Sequence, residues 1–389
     1  MSIYLDNSAT TKICPEALKK YIEISENTFG NPSSLHGMGV EAEKVLEEAR
    51  KEIRNSLKDA KCEIVFTASG SEANNLAIMG RALSKERYKR GAKIITTDSE
   101  HASVLSPIEK LGDMGYKIAR IPTKNGILDI EALKKEMTPD VILVTVMMVN
   151  NETGALYDIA SIASLIKSQS PDAYLHVDAT QSYLKIPFTK KSLGADMITI
   201  SSHKIEGPKG VGALVIDPAV IKSRGLAPVI LGGGQEKGLR SGTENVPAIA
   251  AFGEAIKLGY PNIAANAEKT EALRSYLIEK INTDSTLSGI SITNPKYHAP
   301  HIINLTLPSI KSETMLHYLS SLGIYVSSGS ACSSNSNTIS SALTAYGRTP
   351  SEADSSIRVS FSHRNDFSDV DALVNSLKSG IERLARIKR

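Results

Sequence analysis

Three stretches of the chain hold reactive residue types in arrangements that chemistry could use. In Thr199-Ile-Ser-Ser-His-Lys204 an apolar run ends in two hydroxyls, an imidazole and an amine, and Gly207-Pro-Lys-Gly210 follows. A lysine at a strand end in a glycine-rich turn suits Schiff-base chemistry with an aldehyde if its amine is held neutral; the plain alternative is a surface lysine. Upstream, His176-Val-Asp-Ala-Thr-Gln181 puts Asp178 at the end of another apolar run. A buried carboxylate there needs a cation or a strong donor. The ring nitrogen of pyridoxal phosphate is such a partner, and a helix cap is the alternative. In Phe66-Thr-Ala-Ser-Gly-Ser71 a strand passes through small residues into a helix start. Small residues let backbone approach an anion, and the helix start supplies N–H donors, so this turn reads as a phosphate cup.

The elements that must position these groups follow from apolar patterning. Ile64–Thr67, Lys93–Thr97, Val141–Met148, Tyr174–Val177, Met197–Ser201 and Gly212–Ile216 read as short buried strands. Helical patterns alternate with them at Glu41–Leu57, Ser71–Leu83, Ala102–Met114 and Ile159–Ser168. The rhythm predicts an α/β fold with a mostly parallel sheet covered on both faces. Ligands in such folds sit at the carboxyl ends of the strands. Leu258-Gly-Tyr-Pro-Asn262 reads as a break before a long helix at about Ile263–Ile281. The expected organisation is a large domain over residues 1–257 and a smaller α+β domain over 258–389, with residues 1–14 free to pack on the smaller one. The polar stretch Ser327–Ser341 reads as a mobile loop, and the basic tail from Ile381 as a solvated helix end.

Composition narrows the function classes. The chain has 389 residues, 41% hydrophobic and 22% charged, with 45 Lys plus Arg against 42 Asp plus Glu. That near balance argues against a dedicated nucleic-acid binder. Cys14, Cys62 and Cys332 are too few and too far apart for a disulfide framework or a zinc site. With no signal-peptide pattern at the start and no run of about 18 apolar residues, the expectation is a cytoplasmic protein with no membrane contact. G-x-G-x-x-G, G-x-x-x-x-G-K, H-E-x-x-H and G-x-S-x-G are all absent, which disfavours dinucleotide, P-loop, zinc-protease and serine-hydrolase readings.

Taken in order, the motifs resemble those of the cysteine desulfurases of the NifS/IscS type, within the class V aminotransferase family. The resemblance runs from Tyr4 to about Ser360. It rests on Tyr4-Leu-Asp-Asn-Ser-Ala-Thr-Thr11, Phe29-Gly-Asn-Pro-Ser-Ser-Leu-His36, Ser99-Glu-His101, Val149-Asn-Asn-Glu-Thr-Gly154 and Val177-Asp-Ala-Thr-Gln-Ser182. Ser202-His-Lys204 with Gly207-Pro-Lys-Gly210, Arg240-Ser-Gly-Thr-Glu-Asn245 and Ser328-Gly-Ser-Ala-Cys332 complete it.

The resemblance implies the fold type I of pyridoxal-phosphate-dependent transferases, with a sheet of the seven-stranded type. It implies that Lys204 holds pyridoxal 5'-phosphate covalently and that Asp178 pairs with its ring nitrogen. Gln181 and Asn151 would lie near the phenolic oxygen. His101 would stack on the ring and shuttle protons, and Gly70, Ser71, Ser201 and His203 would hold the phosphate. Thr243 would reach the cofactor phosphate of a second subunit in a homodimer. Arg358 would grip the substrate carboxylate, with Asn151 beside it. Cys332, in its polar small-residue loop, would take the sulfur of L-cysteine as a persulfide, releasing L-alanine. The loop is similar to that of the long-loop group, which passes sulfur directly to a scaffold.

The implied partners are therefore an acceptor such as an Fe–S scaffold or a tRNA-thiolation enzyme. No resident metal is expected, although Cys332 could ligate a cluster transiently with a scaffold. A selenocysteine lyase, another class V lyase or transaminase, and a degenerate binding module are the competing readings. Cys14 and Cys62 read as structural. Three departures from the family pattern stand out: Asn74 in place of an Asp, Glu206 in place of an aromatic residue or His, and Val-Ser-Phe-Ser-His-Arg after Arg358.

Overall fold

The computed structural model describes residues 2–84, 92–328 and 340–386. Its centre is a seven-stranded sheet. The short β1 (Ile3–Tyr4) lies outside it, and its seven strands in chain order are β2 (Glu63–Thr67), β3 (Lys93–Thr97), β4 (Lys117–Ile121), β5 (Val141–Met147), β6 (Tyr174–Asp178), β7 (Met197–Ser201) and β8 (Gly212–Ile216). The sheet order is β2-β8-β7-β6-β5-β3-β4. β8 runs antiparallel to both its neighbours, and every other pairing is parallel. β5, with the sequence Val-Ile-Leu-Val-Thr-Val-Met, is buried throughout, as a central strand covered on both faces by helices should be.

Register turns this topology into a site. Met147 lies beside Asp178, Asp178 beside Thr199, Ser201 beside Gly212, and Gly212 beside Thr67. One edge of the sheet therefore collects the carboxyl ends of β2, β5, β6 and β7. Two helices start at this edge. Gly70–Leu83 is capped by Ser69, whose hydroxyl accepts from the Glu72 N–H, and Ala102–Asp113 is capped by the His101 side chain. Each cap satisfies an amide that the helix itself leaves unpaired.

Further along the chain come β9 (Ser291–Thr293), β10 (Ile302–Thr306), β11 (Ile324–Tyr325), β12 (Ser327–Ser328) and β13 (Ser356–Ser360). Four of them form an antiparallel sheet in the order β12-β13-β10-β9, while β11 pairs with β1. Helices Ile263–Thr283, Ser312–Ser321 and Phe367–Arg386 cover this sheet around a separate apolar cluster that includes Leu277, Met315 and Leu373. Leu5 joins that cluster, and Asn7 donates its side-chain N–H to the Ser360 carbonyl at 2.9 Å.

Three details differ from the sequence reading. β4 is an additional strand; it lies at the sheet edge and carries Lys117 and Arg120, so it lacks the apolar run that marks its neighbours. The break at Leu258–Asn262 is a 3-10 turn, Tyr260–Asn262, that joins helix Val246–Gly259 to helix Ile263–Thr283 without an open linker. Ser327 and Ser328, expected in a loop, pair with Arg358 and Ile357 as β12.

Candidate active site

A cavity of about 330 Å³ opens at the carboxyl edge of the sheet. Lys204, Asp178, His101, Gln181, Ser201, His203, Gly70, Ser71, Asn151 and Arg358 all line it. Asp178 comes from the end of β6 and is nearly fully buried. One carboxylate oxygen accepts from Asn74 Nδ2 at 2.8 Å and the other from the Thr180 N–H at 2.9 Å. Asn74 Nδ2 also donates to Ser103 Oγ at 2.9 Å, and Ser103 Oγ lies 2.8 Å from His101 Nδ1. Asn74 and Ser103 thus tie the orientation of Asp178 to that of His101. Sequence reading gave neither residue a role, and the Asn74 departure was the one available signal.

Lys204 follows β7 in a short 3-10 turn. Its Nζ donates to the carbonyls of Ser8 and Ala9 at 2.6 and 2.8 Å. Gln181 Nε2 donates to the same Ser8 carbonyl at 2.9 Å, so the N-terminal segment forms part of the cavity wall. His203 Nδ1 lies 3.1 Å from Thr10 Oγ1. Burial, then the charges of Lys204, Lys209 and Lys185, push the His203 pKa down to about 4, which keeps the ring neutral. The turn after Lys204 is tight: a Cβ on Gly207 would fall 2.0 Å from Ser202 Oγ. Glu206 adopts φ 64° there and sends its carboxylate away from the cavity, to Arg364 Nε and Nη2 at 2.9 and 2.6 Å.

Arg358, on β13, is buried on the opposite wall. Its Nη1 donates to the Asn151 carbonyl and its Nη2 to Asp6 Oδ1, both at 2.8 Å, while Nε has no partner. Burial raises the Asp6 pKa against the opposing pull of Arg358.

The residues fit a phosphorylated pyridine aldehyde. Ser201 Oγ is buried without a hydrogen-bond partner beside the start of helix Gly70–Leu83. A Cβ on Gly70 would come within 3.2 Å of Thr180 Oγ1 and 3.3 Å of Ser201 Cβ, so the missing side chain keeps the cup open. An orphan hydroxyl at a helix N-terminus suits a phosphate, and Asp178 suits a pyridinium N–H.

Two expected site residues stand apart. Thr243 is exposed and does not line this cavity. Its loop is anchored by Glu236, which accepts from Arg50 Nη2 at 2.7 Å and from the Phe66 N–H at 2.9 Å. Cys332 lies outside the described residues; the nearest described neighbours along the chain are Ser328, on the cavity wall, and Ser340, which donates to Glu152 Oε2 at 2.6 Å. The other two cysteines are buried, and burial raises both thiol pKa values, that of Cys62 to about 11. They remain protonated and poorly nucleophilic.

The chain matches the family described as Aminotransferase class-V over residues 3–373. It is 38% identical over 384 residues to cysteine desulfurase IscS 1 of Archaeoglobus fulgidus, covering 98% of this chain and 97% of that protein. Among solved structures, a NifS-like protein superposes with a TM-score of 0.89 at 34% identity, covering 99% of this chain and 100% of the other. SspA in complex with cysteine superposes with a TM-score of 0.80 at 31% identity, covering 93% and 99%. With its motifs, its sheet and its cavity in agreement, the chain belongs to the class-V aminotransferase family and is a pyridoxal-phosphate-dependent enzyme of that fold.

Proposed function

We propose that the chain is a cysteine desulfurase, which removes sulfur from L-cysteine to leave L-alanine and a persulfide on Cys332. The convergence of Asp178, Lys204 and Arg358 on one cavity, with Ser328 on its wall four residues before Cys332, carries this reading. Pyridoxal phosphate, when bound, supplies an electron sink for charge that develops at the substrate Cα.

The protein's own groups do the rest. Lys204 Nζ would hold the cofactor aldehyde and would take the Cα proton of the substrate. Asp178 would pair with the ring nitrogen, His101 would cover the ring, and Gln181 and Asn151 would lie near it. Gly70, Ser71, Ser201 and His203 would hold the phosphate. Arg358, held on the cavity wall by the Asn151 carbonyl and Asp6, takes the α-carboxylate. The Cys332 thiolate then attacks the substrate sulfur. An S–S bond forms as the Cβ–S bond breaks, the electron pair left on Cβ takes a proton, and Cα recovers the proton that Lys204 removed, giving alanine.

The wider setting belongs to the same reading. Residues 1–257 and 258–389 act as two domains, supported by the separate apolar cluster around Leu277, Met315 and Leu373. The enzyme works as a homodimer in the cytoplasm, with Thr243 serving the second subunit's phosphate. The Cys332 sulfur goes to an acceptor protein for Fe–S cluster assembly or thiolation. No helix among the described residues is long and apolar enough to cross a membrane.

The test is peptide mass spectrometry of the holoenzyme after L-cysteine is added without reductant. The Cys332 peptide gains one sulfur atom, and a reductant removes it. Alanine production with no added sulfur on Cys332 contradicts the reading and favours a lyase.

A further inference from the structure

Behind the Lys204 turn lies a second cavity, about 500 Å³ in volume. Leu184, Lys185, Leu258, His301 and Phe361 line it, and the charged Glu16, Glu206 and Arg364 line it as well. The mechanism above uses none of these residues.

Two of them, the buried His301 and the half-buried Lys185, are polar groups whose needs the protein leaves open. His301 is 2% exposed, and neither ring nitrogen makes a well-formed hydrogen bond, although the Gln181 backbone acts on the ring. Lys185 reaches a single acceptor, Gln181 Oε1, at 3.5 Å, the outer limit of such a bond. Among the described residues no carboxylate forms an ion pair with it. Glu206 attracts Lys185 from a distance but is already held by Arg364. Burial, then Lys204 and Arg358, push the Lys185 pKa down to about 7, and burial, then Lys185, lower that of His301. A buried imidazole without a partner is costly and a half-buried ammonium without an anion is weakly satisfied, and a carboxylate placed between them would satisfy both.

The apolar part of the wall selects the kind of anion. Leu184 and Phe361 are buried apolar residues, and Leu258 stands at the rim. A bare inorganic anion would leave that surface wetted, whereas a hydrocarbon body would cover it. We propose that this second cavity binds a small organic carboxylate, its head between Lys185 and His301 and its body against Leu184, Leu258 and Phe361. The ligand would touch two separate apolar clusters, one through Leu184 and the other through Phe361. The proposal does not depend on the reaction assigned above.

The test is a ligand-observed NMR titration of the holoenzyme with hexanoate. Wild type, Lys185→Met, His301→Asn and Arg358→Lys are compared, each with its cofactor absorbance retained. Binding is expected to weaken at least about tenfold in the Lys185 and His301 variants. It should persist in the Arg358 variant and resist sulfate at equal concentration. Binding unchanged in both cavity variants, or lost only in Arg358→Lys, would overturn the proposal by placing hexanoate elsewhere. Equal competition by sulfate would overturn the assigned ligand class. If one cavity variant fails to retain cofactor, the other decides.

Discussion

Arg358 already meets one anion, Asp6, and lines the cavity. A substrate carboxylate would therefore find a charged donor fixed by the Asn151 carbonyl and Asp6. Replacing Arg358 with lysine removes the planar fork and should raise KM for L-cysteine by about 10- to 100-fold, with kcat changing less. A fall in kcat at constant KM would instead place Arg358 in the chemical step. Glu100, next to His101, makes a second residue-scale prediction. Its carboxyl is fully enclosed; both oxygens lie within 3.0 Å of the Met147 N–H, and Thr97 Oγ1 donates at 2.6 Å. Burial pushes its pKa up to about 8. Between its unfolded value of about 4.3 and that figure, the folded state binds more protons than the unfolded one. The contribution of Glu100 to stability therefore falls as pH rises through this window. The melting temperature of Glu100→Gln relative to wild type should climb from about pH 5 to about pH 8; a constant difference would contradict the assignment. At this scale the sequence exposed Lys204, Asp178 and His101, because each sits in a motif beside a strand end. It concealed Asn74, Ser103 and Asp6 as partners, because their contacts join segments far apart in the chain.

Strand ends and the turns that follow them set the reach of the catalytic groups. Apolar runs made the buried strands of the central sheet legible to within a residue or so, since a parallel sheet hides both faces, while the buried β10 and β13 of the antiparallel sheet were not read individually. The edge strand β4 escaped because half of it faces water. The 3-10 turn at Tyr260–Asn262 escaped because Pro261 fits the first turn of a helix as well as it fits a break. The turn after Lys204 carries the element-scale prediction. Gly207→Ala would drive a Cβ into Ser202 Oγ and should cost about 1–3 kcal/mol of stability, with weakened cofactor retention. Ser202 Oγ makes no hydrogen bond of its own, so adding Ser202→Ala should restore part of the loss. A melting temperature unchanged in the single variant, or no recovery in the double, would contradict this steric account.

Across the whole molecule, apolar surface remains where a partner subunit could cover it. Leu35 is 100% exposed, Leu231 78% and Phe29 70%. Exposed apolar side chains of this size mark contact surfaces when they group together. The Thr243 loop stands outside its own chain's cavity, as a shared site requires. Sedimentation should give the mass of a dimer for wild type and a shift toward monomer for Leu35→Asp combined with Leu231→Asp, with activity falling in parallel. A fully active wild-type monomer would contradict the shared site. The central claim is sulfur transfer through Cys332, and it is tested most directly by alanine formation from L-cysteine with reductant, comparing wild type with Cys332→Ala. The account predicts alanine and sulfide in equal amounts from wild type. In the variant both should disappear while the cofactor absorbance remains. Undiminished alanine formation by Cys332→Ala would contradict it.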